Sequence, residues 1–319
     1  MRLPRGSWVK AQLHAHSTNS DGRLSPEKVL EFYCRAGFGV VAITDHNRVT
    51  RASRPDVVAV PGIEVAAREE GVDGELHVVL IGAEEAPPRG SAEGVLRWGR
   101  ERGLYAFVAH PYWSMLSGSD LLRVASSFGV EVYNHGCEVE ISRGYSGPHW
   151  DYALSKGLLL HGLAVDDAHA YSVDALGGWV VLDLTEADEG EVLRALREGR
   201  FYASSGVAVE ALEIGEGRLW LRCSGARVVK VLSGGTRGAY LSPGLIERLA
   251  RSEGLPIEVE AWEGGFRLRG AGLRVEGRLD GGRIVELEAV GQLPLRGFAR
   301  VELVDGERAA WLNPVKVGG

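Results

Sequence analysis

The chain has 319 residues, 45% hydrophobic and 25% charged, with a formal net charge of −7. That length suits one large α/β domain with a small companion, and the composition excludes a disordered polypeptide. With no global basic footprint, a dedicated nucleic-acid binder is excluded too.

The start, MRLPRGSWVKAQLHAH, has no apolar core of signal-peptide length. The longest apolar stretch, near residues 157–165, is broken by His161 and too short to span a bilayer. A cytoplasmic protein with no membrane partner is expected. Val9–His16 reads as a strand. Ser25-Pro26-Glu27 opens a helix, with Ser25 as N-cap and Pro26 in the first helical position, ending near Gly37. Further strands are predicted at 39–44, 57–65, 76–81, 104–110, 129–134 and 158–165. Helices fit at about 91–102, 119–127 and 149–156. Strands alternating with helices imply a parallel β/α construction, and seven of them a closed or nearly closed barrel. A strand at 179–184 and a helix at about 188–198 complete a first domain, residues 1–206. From 207 to 319 the pattern becomes short alternating strands separated by Gly-rich turns such as Gly264-Gly265, with one helix at about 243–252. That reads as a small antiparallel β-sandwich.

Six of the nine histidines fall at strand ends in the first domain, accompanied by carboxylates. His14 and His16, two apart on a strand, share one face. Asp21 follows in an Asp-Gly turn, where a plain turn role is the competing reading. His46 sits in Thr44-Asp45-His46-Asn47 at the mouth of an apolar strand, with Asp45 placed behind it. Glu64 lies inside the apolar run PGIEV, where an unpaired carboxylate would be costly. His77 starts its run instead of ending it, while His110 ends YAFVAH. Asp167 and His169 leave the seventh strand two apart, so Asp166 should point away. Imidazoles and carboxylates without cysteine suit two or three divalent cations, Zn, Mn or Fe. Cys34, Cys137 and Cys223, odd in number and widely spaced, predict free thiols.

The segments LHAHSTNSDG, ITDHN, GIE, LHVVLIG, AHP, EVYN and AVDDAH, in that order over about residues 9–170, resemble the polymerase and histidinol phosphatase (PHP) superfamily of metallohydrolases. GRFYASSG and AAWLNPVKV resemble its carbaryl-hydrolase-like (CehA/McbA) branch, which adds a β-sandwich. The resemblance implies a distorted seven-stranded β/α barrel followed by that sandwich. It implies one metal held by His14, His16, Glu64 and Asp167. A second would be held by Glu64, His77 and His110, with Glu64 bridging, and a third by Asp21, His46 and His169. Some relatives carry His where this chain has Asp21, which bears on the third site.

The expected activity is hydrolysis of a small phosphomonoester or phosphodiester, possibly a nucleotide, by a hydroxide held between metals. Asp167 or His169 is a candidate to pass a proton to the leaving group, though a metal ligand makes a poor general acid. Asn134 and His135 at the end of the sixth strand, and Arg143 beyond it, are the candidate substrate contacts. Trp113 and Tyr112 are candidates for an apolar wall. A carboxylic or carbamate ester hydrolase is the alternative, and a non-catalytic metal-retaining binding protein a third reading. Nothing in the sequence sets the oligomeric state.

Overall fold

The computed structural model describes residues 2–3, 7–215 and 217–318. One compact unit ends at Ala203 and a second begins at Ser204. The two-residue strand β1 (Arg2–Leu3) pairs into the second.

The first unit begins with β2 (Ser7–Gln12), α1 (Pro26–Arg35), β3 (Val40–Ile43), β4 (Val58–Ala67) and β5 (Leu76–Ile81). It continues through α2 (Ala92–Glu101), β6 (Tyr105–Val108), β7 (Gly129–Asn134), α3 (His135–Ile141), α4 (Gly147–Ser155), β8 (His161–Val165), β9 (Trp179–Leu184) and α5 (Glu189–Glu198). Local chemistry accounts for the helix starts. Ser25, Ser91 and Asp188 each accept a backbone N–H of the first turn of α1, α2 and α5. Gly199, at φ +68°, ends α5. The inward face of α1 buries Val29, Leu30 and Tyr33 against Val41 and Ile43 of β3.

The strands lie in the order β9-β2-β3-β4-β5-β6-β7-β8. Pairs β2–β3, β3–β4, β6–β7 and β7–β8 are parallel. The expectation of uniformly parallel strands fails at β5, which runs antiparallel to both β4 and β6. The reason is the connection: residues 68–75 contain no helix, so β4 returns directly as a hairpin. Beyond the ends of β2 and β8 the chain continues to pair. Asp167 N donates to His14 O at 2.9 Å, and His16 N to Ala168 O at 3.0 Å. The strand run therefore returns on itself at the end where the polar residues gather.

The helix expected at 119–127 is only a 3-10 turn, Asp120–Arg123. Side chains take over its backbone groups: Asp120 accepts Ser117 N at 2.7 Å, and Glu93 accepts Ser126 N at 3.1 Å. Helix α3, which follows β7 directly, is not predicted by the sequence pattern.

The second unit adds β10 (Phe201–Ser204, shared with the end of the first), β11 (Val209–Gly215), β12 (Arg218–Ala226), β13 (Val228–Ser233), β14 (Gly238–Leu241) and α6 (Pro243–Ala250). Then come β15 (Glu258–Trp262), β16 (Gly265–Gly270), β17 (Leu273–Asp280), β18 (Arg283–Gly291), β19 (Phe298–Asp305), β20 (Arg308–Leu312) and β21 (Val315–Lys316). An antiparallel sheet runs β1-β11-β12-β18-β17-β16-β15. Strands β14-β13-β19-β20 pair antiparallel beside it within this unit. Alternation is clean in β13, whose Val229 and Val231 are buried. All three cysteines are free. Among the described residues no helix is long and apolar enough to cross a membrane.

Candidate metal centre

Beyond Gln12 the chain stays extended, and its side chains alternate. Leu13 and Ala15 enter the core while His14 and His16 turn to the other side, all fully buried. His46 follows β3, Glu64 lies in β4, His110 follows β6, and Asp167 and His169 follow β8. His77 no longer stands apart. Because β5 is antiparallel, its start lies at the same end of the sheet as the ends of its neighbours. His110 and Asp167 have φ of +28° and +55°, a conformation unusual for residues with a side chain and characteristic of functional sites. Gly22 lets the Asp21 turn fold back, since a Cβ there would lie 2.2 Å from His16 O.

Glu64 is the hub. Its Oε2 lies 3.3 Å from His14 Nε2, 3.3 Å from His16 Nε2 and 3.0 Å from His46 Nδ1. Its Oε1 lies 2.8 Å from His77 Nδ1 and 3.2 Å from His110 Nε2. Asp167 Oδ1 approaches His16 Nε2 at 3.0 Å and His14 Nε2 at 3.3 Å. Asp21, half-exposed, reaches His46 and His169, each at 3.5 Å, and His16 at 3.7 Å. Among the described residues three donor sets are close enough to share a cation: His14, His16, Glu64 and Asp167; His46, Glu64 and His77; His16, Asp21, His46 and His169.

The donor chemistry fits cations. Glu64 Oε2 and Asp167 Oδ1 are buried oxygens with no hydrogen-bond partner. The ring nitrogens that face them cannot all donate. His14 Nδ1 is 2.7 Å from the Glu131 carboxylate and carries its proton there, which leaves a lone pair on Nε2. That atom lies only 3.2 Å from His16 Nε2. Lone pairs and carboxylate oxygens so crowded need a positive charge among them. In the metal-free chain, protons supply it. Burial alone would depress His16, but Asp167 and Glu64 raise its pKa to about 9. His14 is raised well above its usual value and His77 is raised, by the same carboxylates acting against burial. Burial opposes ionisation of Glu64, yet the histidines hold it well below the usual carboxylate range.

A pH dependence follows. A histidine raised in the folded state stabilises fully below its unfolded pKa of about 6.5, and that stability is lost as pH rises through the folded value. Glu64 and Asp167 stay ionised across this window and add no slope. The chelator-treated protein should therefore melt at progressively lower temperature from pH 6.5 to pH 9 by calorimetry. A flat or rising melting temperature would contradict the assignment.

Glu131, in the apolar run GVEVYN, is not among the residues to which the sequence assigns a role. Fully buried, it accepts from His14 Nδ1, from His110 N at 2.8 Å and from Asn134 Nδ2 at 2.9 Å. The signal was the same as for Glu64, a carboxylate inside an apolar strand. Asn134 also donates to Asp167 Oδ2 at 3.1 Å and caps α3 through Cys137 N. It thus positions a ligand. His135 turns to Tyr133 OH at 3.1 Å and packs on Gly177. Arg143 places its guanidinium over the Tyr112 ring, 5.9 Å from its centroid.

The cavity over the cluster, about 820 Å³, is lined instead by Arg23, Trp113, Val139 and Val173 beside the ligands. Trp113 donates to Glu140 at 3.0 Å, and its ring stands 5.0 Å from that of His110. Asp45 holds Ser17, Ser20 and Thr50, and so shapes the loop that carries Asp21. Asp166 points away, accepting from Tyr33 and from the backbone of residues 176–178. His149 and His161 bond to Leu116 O and Tyr105 OH, away from the cluster.

No family model matches the chain. An uncharacterized protein of Methanocaldococcus jannaschii is 28% identical over 166 residues, 48% of this chain and 65% of that protein. A 5'-3' exoribonuclease of Haemophilus influenzae is 29% identical over 90 residues, 26% of this chain and 32% of that protein. The chain thus spans less than two thirds of either relative. Among solved structures, a two-domain protein from Bacteroides vulgatus described as containing a "predicted PHP-like metal-dependent phosphoesterase" superposes with a TM-score of 0.52. The match covers 98% of this chain and 96% of that one at 14% identity. The chain shares that fold, and within it carries a clustered His, Asp and Glu centre.

Proposed function

Taking the PHP-like fold and its clustered centre as the premise, we propose that the chain is a metal-dependent phosphoesterase of the PHP superfamily. Its substrate would be a small phosphomonoester or phosphodiester, and its strand run of β2 to β8 is read as the distorted barrel of that family. The observation that carries the proposal is Glu64, whose two oxygens face two different sets of imidazoles. His14, His16, Glu64 and Asp167 would hold one divalent cation. Glu64, His77 and the neighbouring His110 would hold a second, and Asp21, His46 and His169 a third. When bound, Zn, Mn or Fe ions acidify water for attack and neutralise charge that develops on the substrate.

The chain's own groups do the rest. Glu131 fixes the proton of His14 on Nδ1 and, through Asn134, the direction of Asp167. His169 donates from Nδ1 to Asp167 O at 2.9 Å, which leaves the lone pair of Nε2 on the side of Asp21, where it would hold the third cation. Trp113 and Val139 give one side of the cavity an apolar surface. The similarity to an exoribonuclease supports a nucleotide or an oligonucleotide end as substrate.

A second reading, a carboxylic or carbamate ester hydrolase, is favoured by the apolar wall of Trp113, Val139 and Val173. Hydrolysis of p-nitrophenyl phosphate, bis-p-nitrophenyl phosphate and an aryl carboxylate ester, after chelation and after Mn or Zn is restored, separates the two. Metal-restored turnover of a phosphate compound alone is the expected result. Turnover of the carboxylate ester alone would replace the proposal with the second reading. Silence with metal bound would point to a binding protein.

A further inference from the structure

The second unit has a pocket of its own, of about 160 Å³. Its floor is buried: Ile214, Leu219, Val231, Val275, Leu287 and Ala289 are each less than 8% exposed. Its rim is made of half-buried aliphatic side chains, among them Leu241, Leu268, Leu273 and Leu293. Strand alternation explains the composition. Val275 and Leu268 face each other across β16 and β17, and Ala289 lies opposite both Val275 and Leu219, so one face of this sheet supplies most of the floor, with Val231 of β13 from the other. The lone charged residue of the lining, Arg269, follows Leu268 on β16, so its side chain projects to the opposite face.

We propose that this pocket binds a small neutral apolar molecule of about the size of benzene. The pocket opens at its rim, so it leaves apolar side chains uncovered that a folded protein normally packs. A water needs two to four polar partners, and an aliphatic lining offers none, so water held there is poorly bonded and an apolar molecule displaces it with gain. An engineered apolar cavity of roughly 150 Å³ takes up benzene. The same lining excludes a sugar or an anion, which would lose its hydrogen bonds to water on entry. The volume suits a ring or a short alkyl chain and is too small for a peptide segment. Ala289 sits in the floor, where its small side chain leaves the space open.

Toluene is the probe, titrated into the full chain and followed by calorimetry and by thermal unfolding. Saturable binding that raises the melting temperature is expected, with glucose giving no effect. Ala289→Leu fills the floor and should weaken toluene binding at least tenfold with the fold intact by circular dichroism. Ala239→Trp, at the exposed rim, should block entry if the floor variant does not fold. Absence of toluene binding, or equal binding by wild type and both variants, would overturn the proposal. So would self-association of the chain that toluene reverses, since the occupant would then be a side chain of a second copy.

Discussion

Glu64→Gln should lower kcat by about three orders of magnitude or more against any substrate that the wild type turns over, while leaving the fold in place. The variant keeps shape and volume but removes the charge that both donor sets share. Lewis-acid stabilisation by bound cations is worth several kcal/mol, and each ~1.4 kcal/mol is tenfold in rate. The strands around Glu64 do not depend on its carboxylate, since β4 pairs with β3 and β5 through backbone. The measurements are kcat, metal content of the purified variant and far-ultraviolet circular dichroism. Full activity with metal still bound would refute the assigned role. Loss of the circular dichroism signal would show instead that Glu64 holds the fold.

Glu131→Gln should weaken metal affinity by about 10- to 100-fold, although Glu131 belongs to none of the three donor sets. An amide in its place can present Nδ1 of His14 with an N–H instead of an acceptor, which lets the imidazole proton move to Nε2. The lone pair is then lost from the face that holds His16, Glu64 and Asp167. The same carboxylate also anchors His110 N and Asn134, so three groups lose their orientation together. Titration of the chelated variant with Mn, beside the wild type, checks this. Activity that returns at high metal concentration identifies a positioning residue, and unchanged affinity would refute the account.

Much of this site can be read in a linear sequence because its residues contradict their surroundings. Glu64 in PGIEV is a carboxylate inside an apolar run, and the His-X-His step after an apolar strand puts two imidazoles on one buried face. Such positions require a partner, and a cation is the partner they have in common. Helix starts were equally legible, because Ser25 and Asp188 act on the first turn of their own helices. These are local effects, and local effects are carried by sequence.

The direction of β5 was not legible. Runs such as LHVVLI look the same in parallel and antiparallel pairing, and only the hairpin to β4 decides which end meets the site. That decision explains why His77 starts its strand and still joins Glu64. Arg143 follows β7 in the sequence, but α3 lies between, and its guanidinium rests over Tyr112 while Arg23 lines the cavity. Glu131 is legible as a carboxylate inside an apolar strand, but its two partners, His14 and His110, are not, because they lie 117 and 21 residues away. The sequence by itself determined the ligand types, most strand and helix positions and the change of character after the first 200 residues, because each rests on period, burial and capping within a few residues. Only the tertiary structure decided which imidazoles share an oxygen of Glu64, which carboxylate orients them and which side chains wall the cavity, because those depend on strand direction and on contacts between residues far apart in the chain.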